Sequence, residues 1–188
     1  MTNRVARPFA VWSGSIAGVV VGVLIAATPA IARVSLPDKA CSLLTDAEIT
    51  AAVAAPTKAT ENQMPVQQGA AKGETMRTCS WSIPNGAVNL SFVKVGDMEA
   101  AKTAFRTQMQ KTLQSLKTQG WTIDEKPFGD NESCWTGTPP ANAKDTPRAT
   151  GCAGATNGVG ISVGITGSMK VDADAVKKLL DAAMKRLG

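Results

Sequence analysis

With 188 residues and neither histidine nor tyrosine, the chain has no means for imidazole acid–base steps, Ser-His-Asp or Cys-His nucleophiles, His-ligated zinc or phenol chemistry. Its formal charge of +5 falls to +3 once Arg4 and Arg7 leave with the first 32 residues, too small a surplus to imply nucleic acid, and no basic run is interleaved with aromatics. The stretch 33–188 is long enough for one domain with its own core.

Residues 1–32 read as a cleavable secretory signal. Arg4 and Arg7 give a positive start, Ile16 to Ala27 carries no charged or hydrogen-bonding side chain, and Pro29 then breaks the helix. Ala30 and Ala32 place small side chains where a signal peptidase needs them, so cleavage is expected after Ala32. The apolar run falls short of the roughly 20 residues of a spanning helix, so no membrane span is expected after cleavage and the destination is periplasmic or secreted; the alternative is an uncleaved anchor that borrows Phe9 to Ser15 to reach spanning length.

The first predicted helix starts at Leu44-Thr45-Asp46-Ala47-Glu48-Ile49, where Thr45 and Glu48 form a capping box and Leu44 and Ile49 a hydrophobic staple; Pro56 stops it near Ala55. Thr57 to Arg77, polar and broken by Pro65, Gly69 and Gly73, reads as a long surface loop. Cys79 to Ile83 alternates, Asn85-Gly86 supplies a tight turn, and Ala87 to Val95 returns with Val88, Leu90 and Phe92 on one face. Gly96-Asp97 opens a long helix with Met98, Ala101, Phe105, Met109, Leu113 and Leu116 as its core stripe, ending at Gly120.

Trp121–Glu125 and Cys134–Gly137 read as two further strands around a turn, and Thr138 to Arg148 as a second loop. Cys152 to Gly158 and Val159 to Thr166 form a second Asn-Gly hairpin, followed from about Asp172 by a helix burying Val176, Leu179, Leu180, Ala183 and Leu187. The cations Lys177, Lys178, Lys185 and Arg186 on that helix complement its macrodipole. Gly160 and Gly164, alternating with the apolar face, are expected to let a packed helix come close.

A cysteine-bearing strand, Asn-Gly, an alternating strand and an amphipathic helix thus occur twice, from Cys79 to Leu116 and from Cys152 to Leu187. The expected fold is α+β: an antiparallel sheet of about six strands with helices packed on one face, built from two related strand-turn-strand-helix halves. Cys41, Cys79, Cys134 and Cys152 form an even set in an exported chain, which argues for two disulfides. Three pairings are open; Cys41 with Cys79 and Cys134 with Cys152 is preferred because each then ties neighbouring elements. A metal centre fails on spacing, with no C-x-x-C and no histidine.

Cys41-Ser42-Leu43-Leu44-Thr45-Asp46-Ala47-Glu48-Ile49 together with Cys79-Ser80-Trp81 resembles a group of bacterial secreted proteins and lipoproteins of unknown function, which begin with a C-x-L-L-T-x-A-E helix and carry a later C-x-W strand. The resemblance covers about a dozen residues and implies an α+β sheet domain with a first disulfide between Cys41 and Cys79. It brings no catalytic residues. Cys41 lies behind the polar Pro37-Asp38-Lys39-Ala40 and lacks a lipobox, unlike the lipoprotein members.

The remaining chemistry is thin. Ser168 and Lys170 stand near a helix start without S-x-x-K spacing, and Asp124, Glu125, Asp130 and Glu132 lack the register of a calcium loop. Gly151-Cys152-Ala153-Gly154 is no phosphate cradle. Neither a catalytic residue nor a cofactor is assigned. The expected function is a non-enzymatic binding module for an envelope protein or cell-wall ligand, acting through the sheet or through segments 57–77 and 138–148; a hydrolase of Ser-Lys or carboxylate type is the alternative. Trp81, Trp121 and Trp135 are candidates to line a small-molecule cavity and equally suit a core.

Overall fold

Seven strands form one antiparallel sheet in the order β1-β2-β3-β7-β6-β5-β4. They are β1 Lys58–Pro65, β2 Thr75–Ile83, β3 Gly86–Lys94, β4 Thr122–Pro127, β5 Glu132–Thr138, β6 Arg148–Thr156 and β7 Val159–Gly167. Among the described residues, three α-helices, α1 Asp46–Ala52, α2 Met98–Thr118 and α3 Ala173–Arg186, and a 3-10 turn Ala40–Leu43 accompany the sheet. This computed structural model describes residues 36–188 except 68, 70, 130, 144 and 145, and not the side chains of Ala104 and Phe105. The expected secretory signal, Asp130 and the expected core role of Phe105 therefore lie outside the described residues. No described helix is long and apolar enough to cross a membrane.

The sheet has seven strands, where about six were expected, and the unexpected one is β1, inside the stretch read as a loop. Seven of its eight residues are exposed, because it is an edge strand bonded only to β2. A strand buried on neither face has no reason to alternate, so periodicity gave no sign of it.

The two hairpins turn at equivalent places by different means. In the second, Asn157 and Gly158 both have positive φ, 48° and 74°, as a type I′ turn requires. In the first, Ile83 already pairs with Gly86, so the turn residues are Pro84 and Asn85, with Asn85 alone at φ 59°. Proline followed by a positive φ is the chemistry of a type II turn. Gly86 therefore belongs to β3, and it is glycine for lack of space: a Cβ there would lie 2.1 Å from the Thr166 carbonyl oxygen.

The alternation of β2, β3 and β7 defines the core face. Leu90 pairs with Val163, Val88 with Ile165 and Phe92 with Ile161, and this layer packs with Trp81, the 3-10 turn, Ile49 and the Val176, Leu179, Leu180 and Ala183 stripe of α3. Among the described side chains, helix α2 contributes none to that cluster, and it lies by β4, β6 and β7 on the opposite face. Helices thus cover both faces, which corrects the expectation of one. The core face is already occupied by α1, α3 and the turn, and the chain must pass from β3 across β7, β6 and β5 to reach β4. Twenty-one helical residues run about 32 Å, enough to make that crossing over the free face. The hairpin-helix order does occur twice, but its two helices go to opposite sides.

Thr45 caps α1 as predicted: its hydroxyl accepts the Glu48 amide at 3.3 Å, and the Glu48 carboxylate accepts the Thr45 amide at 2.8 Å. That carboxylate also receives both guanidinium nitrogens of Arg186, at 2.8 and 3.0 Å, while Arg186 donates to the Leu43 carbonyl at 2.8 Å. The Arg186 hydrogen bond, with those from Thr45, holds the Glu48 carboxyl at about 2, well below its ordinary 4.5. A depressed carboxylate stabilises the fold above its unfolded pKa and loses that contribution as pH falls toward 2. Glu48→Gln is therefore expected to cost about 1 kcal/mol at pH 7, the upper range for a partly exposed pair, and to flatten the fall in stability between about pH 4.5 and 2. Urea titrations of both proteins at several pH values check this.

Candidate functional site

The residues singled out for chemistry are dispersed. Ser168 and Lys170 are both exposed, with no hydrogen bond between them among the described residues. Glu125 pairs with Lys117 at 2.7 Å and Glu132 with Lys177 at 2.6 Å, so two of the acidic group serve as salt-bridge partners to different helices. The cysteines pair Cys41 with Cys79 and Cys134 with Cys152, the second pair sitting opposite each other on β5 and β6. Cys41, Glu61 and Cys79 bring ligand atoms within 4.8 Å of one another, but both sulfurs are spent in the disulfide. The Glu61 carboxylate receives the Ala40 and Cys41 amides, the latter at 3.0 Å, and so clasps the 3-10 turn to β1.

A groove of about 1010 Å³ lies on the α2 face of the sheet. One side is the first half of α2, from Asp97 through Ala100 and Ala101 to Gln108 and Lys111. The other is the β1-β2-β3 end of the sheet: Met64 and Met76, cross-strand partners on β1 and β2; Val93 and Val95 on and after β3; and the segment Pro65, Val66 and Ala71 that leads from β1 to β2. Gly160 of β7 completes the lining. The lining is apolar except at Gln67, after β1, and toward the helix, where Asp97, Glu99, Thr103, Thr107, Gln108 and Lys111 contribute. Met64 is 46 % exposed, and among the described residues no other large apolar side chain is left so open to water.

The groove exists because α2 lies by β4, β6 and β7 and leaves the β1-β2-β3 end uncovered. Gly160 keeps it deep. An ideal Cβ at Gly160 would meet nothing nearer than Val95 Cγ2 at 3.8 Å, and one at Gly164 nothing nearer than the Thr150 oxygen at 3.9 Å. The helix expected over these glycines is α2, which lies by β7, and the glycines leave space beneath it.

Of the two segments expected to bind, 57–77 supplies one wall, while 138–148 gives no lining residue among those described. None of the three tryptophans lines this groove. Trp81 is 1 % exposed in the core, and Trp135 borders a smaller cleft of about 280 Å³ with Met109 and Thr112 of α2. The signal present in the sequence was the second face of β3, polar at Asn89 and Ser91 and then apolar at Val93 and Val95.

The extracellular domain of PknH from Mycobacterium tuberculosis superposes with a TM-score of 0.57 at 15 % identity, over 78 % of this chain and 93 % of that one. The likeness is one of fold. No family model matches the chain, and no curated protein does.

Proposed function

We propose that the protein is an exported, non-enzymatic binding module that holds an apolar ligand of the envelope or cell wall in the groove between α2 and the β1-β2-β3 end of the sheet. The observation that carries this reading is the groove itself, about 1010 Å³ with exposed Met64 at its edge. Apolar concavities of this size, with a few polar groups at one side, are the usual form of a small-molecule site. Export is supported by the signal-like residues 1–32 and by two disulfides, which persist in oxidising compartments. The fold shared with an extracellular domain agrees with it. The absence of histidine and the engagement of Glu125 and Glu132 in salt bridges leave little from which to build a hydrolase.

The test is titration with Nile red, an uncharged dye that brightens on leaving water. The wild-type protein is expected to give a saturable rise with one site per chain. Gly160→Leu has room to grow into the groove without straining the strand and is expected to abolish the rise while leaving the circular dichroism unchanged. A folded Gly160→Leu protein that binds the dye as well as wild type would rule out the groove as the seat.

A further inference from the structure

We propose that this groove binds a straight-chain anionic amphiphile, its chain between Met64, Met76, Val93 and Val95 and its acidic head against Lys111; the assignment rests on the binding reading above. Shape is the first argument. The α2 residues that line the groove run from Asp97 to Lys111, a distance of about 21 Å along the helix axis, so the space is long and suits a chain better than a compact ring system. Two methionines facing each other across β1 and β2 give it an adaptable apolar wall, as a flexible chain requires.

Charge is the second argument. Both acids on the lining are already engaged: the Asp97 carboxylate accepts the Ala100 amide at 2.7 Å as the cap of α2, and Glu99 pairs with Lys102 at 2.7 Å. Lys111 is the only basic residue among the described lining, and it has no ion pair or hydrogen bond among the described residues. It stands in the interior of α2, away from the last turn where a cation would answer the helix dipole. An anionic head at that end of an apolar slot supplies the missing partner; a neutral or cationic head does not.

Displacement of Nile red from the purified protein by octanoate, decanoate and dodecanoate tests the chain, and dodecan-1-ol and dodecylamine test the head. Affinity is expected to rise about fourfold for each added methylene, the ratio a buried CH₂ gives. Dodecanoate is expected to bind about fivefold tighter than dodecan-1-ol, as one exposed charge pair allows. Lys111→Met should erase that preference, bringing dodecanoate down to the affinity that the same variant shows for the alcohol. Dodecyl phosphate run beside dodecanoate separates a phosphate-headed lipid from a fatty acid as the source, the tighter of the two naming it. Equal binding of acid and alcohol, affinity independent of chain length, or an acid preference that survives Lys111→Met would overturn the proposal while the groove remained a binding site. A protein that bound neither dye nor amphiphile would remove both readings. A dimer dissociated by Gly160→Leu would assign the groove to a second copy of the chain and overturn the amphiphile.

Discussion

Replacing Cys41 and Cys79 together by alanine is expected to lower the unfolding free energy by about 4 kcal/mol, and replacing Cys134 and Cys152 by about 3 kcal/mol, as the loops they close differ in length. The first pair spans 38 residues and the second 18. In the chain-entropy account a cross-link acts on the unfolded state, and the longer loop gives up more freedom. Cys79, Cys134 and Cys152 are buried almost completely, so each double replacement also leaves a small void, adding a similar increment to both. The first pair has a further duty. It holds the 3-10 turn on β2, and that turn presents the Leu43 carbonyl to Arg186. Guanidinium denaturation of the two double variants, with circular dichroism as the readout, gives the order directly. A larger loss from the Cys134–Cys152 pair would show that packing between β5 and β6, and not loop closure, dominates.

Gly86→Ala is expected to cost about 3 kcal/mol, the upper range for forcing an atom into a filled space. Its Cβ would stand 2.1 Å from the Thr166 carbonyl oxygen and 2.9 Å from the Gly167 Cα, both backbone atoms of β7 that cannot turn aside. The central β3–β7 pairing would have to open at that end. Gly164→Ala, on the same strand pair but with nothing within 3.9 Å of the new atom, is expected instead to gain about 0.5 kcal/mol by restricting the unfolded chain. Thermal unfolding of the two single variants separates a glycine required by contact from one that is merely permitted. Equal effects would mean that β3 and β7 adjust more freely than their backbone spacing implies.

Local signals carried most of the fold. The cap at Thr45, the cap at Asp97 and the start at Asp172 each rest on a side-chain oxygen beside the amides it receives, a relation contained within four residues. The hairpins were legible for the same reason. Asn-Gly follows Cys79 by six residues and Cys152 by five, but the mismatch vanishes in the structure, because Pro84-Asn85 and Asn157-Gly158 occupy the same two places after those cysteines. What stayed hidden was relational. β1 is a strand only because β2 lies beside it, and its exposed residues carry no mark of that. The side on which α2 packs depends on which face α1 and α3 have taken, and no periodicity within α2 encodes it. The groove follows from that placement, so it was as hidden as the placement itself, although Val93 and Val95 on an otherwise polar face marked one wall.

The middle of the sheet is the last part of it that the chain can assemble. β7 is the final strand in sequence, yet it joins β3 to β6, so Leu90 waits for Val163 and the seam cannot close until nearly the whole chain is present. Both disulfides lie to one side of that seam or the other. A chain emerging N-terminus first through a narrow channel would therefore stay open through most of its passage, with each half already stapled when the two meet. The join between them is made by backbone hydrogen bonds and apolar side chains, with the Arg186–Glu48 ion pair at its margin, and its long reach in sequence predicts a slow closing step after fast local ones.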